Sequence, residues 1–556
     1  MVTTFEDIKY NEDIMYIIWN YCTKSSKLPL VEKLWLSYPI DIHTIITSLK
    51  LLTHFINNKK WIQCKNYGLF LRNIYDIPTA IKLYKTSIHT LHTSIGCELT
   101  SVSLLANFSS LHTLDISGSA KVTSVSPLMH CSSLYKLNIR NCSGLESVSG
   151  LGQCQSLNIL LLGSGKLLTD ISDIGQCASL RILHLNTCNA LKDVSGLEQC
   201  TSLHTLDLTN CCGMINVSNL AQCASLHTIN LSGCYSLTNV LDLEQCPSLH
   251  TLILARCRNL TNVTNLKHST SLHTLDLHDC DELTDVSGLE QCASLHTLKL
   301  YECNGIIDVS NLGQCASLHT LILNGCNQII DVSNLGQCAS LHTLELNRCR
   351  GVIDVTGLEQ CASLHTLDLS KCENLTDVSS LGQSAWLHTL DLYKCEDLMD
   401  IIGLEECITL HTLDLSECKK LSYIFGLEQC TALHTLDLSK STKLTTIDIS
   451  ALGQCASLHT LDLSYCHEII DVFGLEQCAS LHTLNLKKCY KITDVSILGQ
   501  CLSLHTLNLR ECESLTNILG LKECTSLHTL DLTECFDVTD TDISIISAII
   551  PNVIND

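Results

Sequence analysis

Thirty-two cysteines, seventeen histidines and nine aspartates stand at fixed places in a repeated unit, as in LEQCASLHTLDLSKC at 358–372. Histidine with aspartate beside Thr and Ser is the inventory of nucleophilic hydrolysis, and paired thiols with imidazoles suit zinc or disulfides. Each chemistry carries a geometric demand. Acyl transfer needs one constellation in one pocket, not seventeen copies along an open surface. A structural zinc site wants two close pairs of ligands, such as C-x-x-C with a second pair. Here the columns tolerate Ser269, Ser384, Ser441 and Gly165 in place of Cys, which packing permits more readily than a ligand set does. The expectation is construction: no catalytic residue, no metal and no cofactor.

The elements that carry these residues follow from the period. Counting each unit from the leucine of "LHTL" as position 0, starts fall at Leu111, Leu134, Leu157 and onward by 23 to Leu433. After two extra residues they resume at Leu458 and end with Leu527, giving 19 units, and Ile88 opens a degenerate twentieth. The pattern is L-x-x-L-x-L-x-x-C-x-x-L-T-D-V-x-x-L-x-x-C-x-x. Leucines at positions 3 and 5 alternate with polar residues, the period of a short half-buried strand. The eleven residues after the turn suit a 3₁₀ or single helical turn. One such coil cannot bury its own leucines, whereas stacked coils share a core. The fold expected is an α/β solenoid, a leucine-rich-repeat horseshoe or arc of about 20 units with a parallel concave sheet, preceded by a small α-helical N-terminal region.

Within that frame the cysteine at position 8, such as Cys211 or Cys372, sits at the turn after the strand, where a weak S–H donor can meet a loop carbonyl. The cysteine at position 20, such as Cys200 or Cys361, packs inside the convex segment. Histidine at position 1 borders the concave face, and strands about 4.8 Å apart stack identical side chains into ladders. Position 4 holds five consecutive aspartates, Asp368, Asp391, Asp414, Asp437 and Asp462. A face tuned to one partner varies from unit to unit, so the irregular places are informative. Tyr135, Asn158 and Arg181 replace histidine in three successive units, and Trp386, the only tryptophan of the array, precedes the two-residue insertion. These nine residues are the expected partner-binding candidates of the concave face.

Charge and composition narrow the function classes. The formal net charge is −23; residues 1–87 carry 11 Lys/Arg against 7 Asp/Glu, and the remainder 23 against 50. So acidic an array repels nucleic acid and anionic membrane. The opening MVTTFEDIKY has no apolar h-region, and no stretch reaches the roughly 18 apolar residues of a membrane span. A cytoplasmic, reducing setting is the expectation for so many thiols.

Thirteen of the 25 aromatic residues lie before residue 88, so two kinds of structure meet there. The expected organisation is a helical region over 1–87, the solenoid over 88–540 and a C-terminal cap over 541–556. Within the first region, 40–87 would cap the array. Glu12-Asp13-Ile14 through Ile17-Ile18-Trp19-Asn20-Tyr21, followed by Leu30-Val31-Glu32-Lys33-Leu34-Trp35, resembles the F-box motif. The array's C-x-x-L-T-D-V resembles the cysteine-containing leucine-rich repeats that accompany F-boxes, and its 23-residue period is closer to arrays of protozoa and giant viruses. The resemblance implies a substrate adaptor of a cullin ubiquitin ligase. Residues 10–45 would then dock a Skp1-like adaptor through Ile14, Ile17, Ile18, Leu30, Val31 and Trp35. The residues alone support a plainer function, a non-catalytic scaffold for other proteins.

Overall fold

The computed structural model describes residues 67–71, 88–93, 99–384 and 386–555. Segment 10–45, with all six adaptor-docking candidates, and most of the 40–87 cap lie outside the described residues.

The strand-turn period builds one continuous parallel sheet of 22 strands. It begins with β1 (Tyr67–Leu71) and β2 (Ile88–Thr93), continues with β3 (Thr113–Asp115) and one strand per unit to β21 (Thr529–Asp531), and ends at β22 (Asn552–Ile554). From β2 onward each strand pairs with its chain neighbour one repeat further along. Thus Thr366 of β14 (Thr366–Asp368) faces Thr389 of β15 (Thr389–Asp391), and leucine faces leucine beside them. The sheet runs past both limits set by counting leucines: β1 lies inside the stretch expected to be helical, and β22 inside the expected cap. The last leucines would otherwise face water, and helix α2 (Asp540–Ser547), capped by Thr539, covers them before β22 closes the sheet.

Opposite the sheet each unit crosses as a 3₁₀ turn of two kinds. The longer kind, such as Ser333–Gln337, carries glycine at position 18 in several units; the shorter, such as Leu358–Gln360, is preceded in most units by a left-handed glycine. The two fit together: a Cβ on Gly336 would stand 1.9 Å from the carbonyl oxygen of Gly357, whose φ is +96°. The aspartate of L-T-D-V starts these turns, Asp331 Oδ1 accepting the Ser333 N–H at 2.8 Å. Between sheet and 3₁₀ layer lies the core. In one unit Leu364, Leu367, Leu369, Leu375, Val378 and Leu381 are all essentially inaccessible, each worth roughly 1.5–3 kcal/mol of apolar burial.

The two inserted residues leave the sheet untouched. Thr435 still pairs with Thr460, and the extra length becomes one turn of α-helix, α1 (Thr446–Ser450), closed by a capping box between Thr445 and Asp448.

Both cysteine columns are buried and free. The expected thiol-to-carbonyl bond occurs at position 8, where Cys211 Sγ donates to Leu185 O at 3.1 Å. It occurs at position 20 as well, where Cys361 donates to Leu335 O at 3.2 Å. Each bond spans 26 residues, one unit plus three, so the thiols tie each coil to the one before it.

Candidate functional site

The solvent side of the sheet presents polar side chains of successive repeats in register. Thr at position 2 and the residue at position 4 point out from a strand whose position 3 is core, giving the same intermediate–buried–intermediate pattern from β6 (Ile182–His184) to β21. A left-handed residue at position 7 turns the chain out of the sheet; Lys371 has φ +60°, and its N–H donates to Tyr393 O at 2.6 Å.

Along one border, fifteen histidines from His204 to His528 stack without a gap, the centroids of successive rings 4.6–4.9 Å apart and their planes 3–11° off parallel. The column crosses the insertion unchanged, His434 to His459 being 4.7 Å. Each Nδ1 is held by the threonine that follows, as in His365 with Thr366 Oγ1 at 3.4 Å. Burial, and then the neighbouring rings His388 and His342, push the His365 pKa down; an imidazolium stacked on another is electrostatically unfavourable.

The five aspartates of the stripe share this face. Asp368 accepts from the N–H and hydroxyl of Ser370, and Asp414 likewise from Ser416. Those partners leave cross-strand repulsion unrelieved in the middle of the run. Burial and the flanking Asp368 and Asp414 raise the Asp391 pKa to about 6, and burial with Asp462 and Asp414 raises Asp437. At the end of the run Asp462 is better served, its Oδ2 accepting from Asn485 Nδ2 at 2.7 Å. Along that run each aspartate accepts from the residue two places on, serine in four units and Tyr393 in the fifth, while histidine bonds threonine.

Tyr135, Asn158 and Arg181 all lie at position 1, bordering the face as expected. Tyr135 stacks on His112 at 4.8 Å, and Asn158 Nδ2 donates to Ser179 O at 3.0 Å. Trp386 does not join them. It sits in the turn that leads from the 3₁₀ segment into β15, 63% exposed, because position 22 precedes the strand and cannot project from the sheet.

Beside Tyr135, Asn158 and Arg181 the structure brings together residues that no linear spacing pairs. Arg140 Nη2 lies 3.1 Å from His184 Nδ1, 44 residues away, and that nitrogen lies 3.3 Å from Asp207 Oδ2. The guanidinium reaches across position 6 of the intervening unit, which is Gly163, where a Cβ would already stand 3.5 Å from Arg140 Cγ. Burial works against the charge of Asp207, but bonds from His184, Thr209 and Asn186 hold its pKa down at about 2. Nothing in the linear sequence marks this group, since position 6 also holds His278, Tyr301, Lys487 and Arg510 in other units.

Comparison with known proteins gives two family matches: Zer-1-like leucine-rich repeats over residues 355–453, and six copies of the BspA type leucine-rich repeat region over 406–528. No curated protein sequence matches. Among solved structures, a leucine-rich-repeat protein of Leptospira interrogans is 17% identical, covering 87% of this chain and 99% of its own with a TM-score of 0.49. The functional domain of InlJ from Listeria monocytogenes, described as including a cysteine ladder, is 18% identical over 74% of this chain and 73% of its own, with a TM-score of 0.43. The plant peptide hormone receptor RGFR1 in complex with RGF2 is 15% identical over 88% and 92%, with a TM-score of 0.41.

Proposed function

For a chain that its family matches and its sheet make a cysteine-containing leucine-rich-repeat protein, we propose a non-catalytic scaffold that holds another protein on the sheet face. The observation that carries this is the division of labour between surfaces. Cysteines, leucines and the L-T-D-V aspartates are consumed by construction, whereas Thr, Asp and Ser of the strands stand in register on an open face, bonded mostly within their own repeat. A parallel sheet with one open face along the repeats is a long contact surface of the kind repeat proteins use. Thiols that are all free among the described residues suit a reducing, cytoplasmic setting.

A narrower use of the same solenoid is substrate adaptor of a cullin ubiquitin ligase, supported by the F-box resemblance of 12–35 and by C-x-x-L-T-D-V. In that case a Skp1-like protein co-purifies with the full chain and is lost on deletion of residues 1–45.

The scaffold reading is tested with a photo-crosslinking amino acid placed at Thr366 on the sheet or at Ser379 on the opposite side. Partner adducts from Thr366 and none from Ser379 are expected; the reverse distribution removes the reading.

A further inference from the structure

Three consecutive units break the sheet face while leaving the core intact. In every one of the seventeen other units positions 1 and 2 are His and Thr; in the units of Leu134, Leu157 and Leu180 neither residue occurs there. The leucines beneath do not change, Leu137, Leu160 and Leu183 being fully buried. The substitutions are therefore confined to the surface of the sheet.

The replacements have a common chemistry. Lys136, Arg140 and Arg181 bring three cations to the face, and no carboxylate occurs at positions 1, 2, 4 or 6 of these units. Between the cations lie Ile159, Leu161 and Ile182, partly exposed where the consensus places Thr and Asp or Asn. The strands are longer here too: β4 (Lys136–Arg140) and β5 (Ile159–Gly163) pair over five residues, against three in most units. The nearest carboxylates are already engaged, Asp115 by Asn138 Nδ2 at 2.9 Å and Asp207 by Asn186 Nδ2 at 2.5 Å. In an array that is otherwise strongly acidic, this is a cationic rim around an apolar floor.

We infer that this patch is a docking site for an acidic segment of a partner protein, an extended chain that lays an aliphatic side chain on Ile159, Leu161 and Ile182 and carboxylates against Lys136, Arg140 and Arg181. Charge complementarity selects that occupant; a basic segment would meet three like charges. His184 serves as the gate on Arg140. Its Nδ1 either accepts from the guanidinium or, carrying the proton, donates to Asp207, and in the second arrangement the guanidinium is released to form a forked pair with a carboxylate. The Asp368–Asp462 stripe lies eight units away, roughly 38 Å at 4.8 Å per strand, beyond the Debye length of about 8 Å at physiological salt.

This inference rests on the sheet face being the binding surface. The probe is a fluorescein-labelled decapeptide with Leu-Ile at its centre and Asp or Glu elsewhere, with a Lys-flanked counterpart as control, titrated against the full chain. Binding of the acidic peptide alone is expected. It should weaken at least about tenfold in Arg140→Glu/Arg181→Glu and in Leu161→Glu, and change less than about twofold in Asp391→Asn/Asp437→Asn. Circular dichroism of each variant checks the fold. No binding of the acidic peptide up to 1 mM, or equal binding of both peptides, overturns the inference. A partner cross-linked at Thr366 whose affinity ignores Arg140→Glu/Arg181→Glu also overturns it, and leaves the scaffold reading standing. A partner cross-linked only at Ser379 overturns both.

Discussion

The thiol of Cys372 donates to the carbonyl oxygen of Leu346 across 3.1 Å, joining one coil to the one before it. Serine can make the same bond at position 8, where Ser441 Oγ donates to Leu415 O at 2.9 Å, although the buried hydroxyl of Ser119 at that position has no partner. At position 20 it does not: the hydroxyls of Ser269 and Ser384 are buried with no hydrogen-bond partner. A C–O bond is shorter than a C–S bond and falls short of that carbonyl. Ser384→Cys should therefore stabilise the array, by about 1 kcal/mol, by restoring the donor and relieving a buried hydroxyl. Urea unfolding midpoints of the pair measure this; a loss of stability would contradict it.

Burial pushes the Cys372 thiol up to about 12, and Cys361 likewise. The thiolate is the reactive form, so both columns should resist alkylation at pH 8 while the chain is folded. Cys212, half-buried and outside the columns, should be modified at least about 100-fold faster than Cys372. Peptide mapping after timed iodoacetamide quenching reads the ratio, and comparable rates would mean that the columns open readily.

Leu367 and His365 are two residues apart on the same strand border, yet only one of them is core. Leu367→Ala should cost about 2–5 kcal/mol through lost transfer energy and the cavity left behind. His365→Ala removes one ring from a solvent-facing stack and should cost under about 1 kcal/mol. Thermal or urea unfolding distinguishes them, and equal losses would place the histidine column inside the core.

The fold was legible because every unit repeats the same answer. Leucines at positions 3 and 5 and a bend near position 8 define the strand and turn, and twenty copies remove the ambiguity of any one. What the period could not show lies where the period ends or where a contact spans several units. β22 escaped because Asn552-Val553-Ile554 carries no L-x-L, and β1 because its Leu69-Phe70-Leu71 stands 22 residues before β2, off the 23-residue count. Tyr135, Asn158 and Arg181 were visible as exceptions. Arg140 beside His184 was not, since 44 residues separate them and only the parallel register, with Gly163 between, brings them together. Trp386 was misplaced on the sheet because its rarity, not its position in the unit, drew notice.

The aspartate stripe gives a pH dependence of definite sign. Burial, then Asp368 and Asp414, raise the Asp391 pKa to about 6 against the partial relief of Lys371, while an unfolded aspartate titrates near 3.9. Between those values the folded state binds the extra proton, so this carboxyl destabilises the fold above pH 6, and the penalty fades as pH falls toward 4. Asp391→Asn should be more stable than the parent at pH 7.5 by roughly 1 kcal/mol after solvent screening, with no advantage at pH 4. The histidines contribute the opposite slope: burial and then neighbouring rings lower pKa values such as those of His296 and His411, so acid costs stability below pH 6.5. That contribution is common to both proteins and cancels in their difference. An advantage that grows on acidification would contradict this origin.

The division between a working sheet face and three constructional sides is tested most directly by hydroxyl-radical footprinting of the full chain, free and with its cross-linked partner. Protection is expected at strand side chains such as Ile159, Leu161 and Tyr393, with Ile330, Ile353 and Phe473 on the 3₁₀ side reacting as in the free protein. Protection of those 3₁₀-side residues, with the strand side chains unchanged, would contradict it.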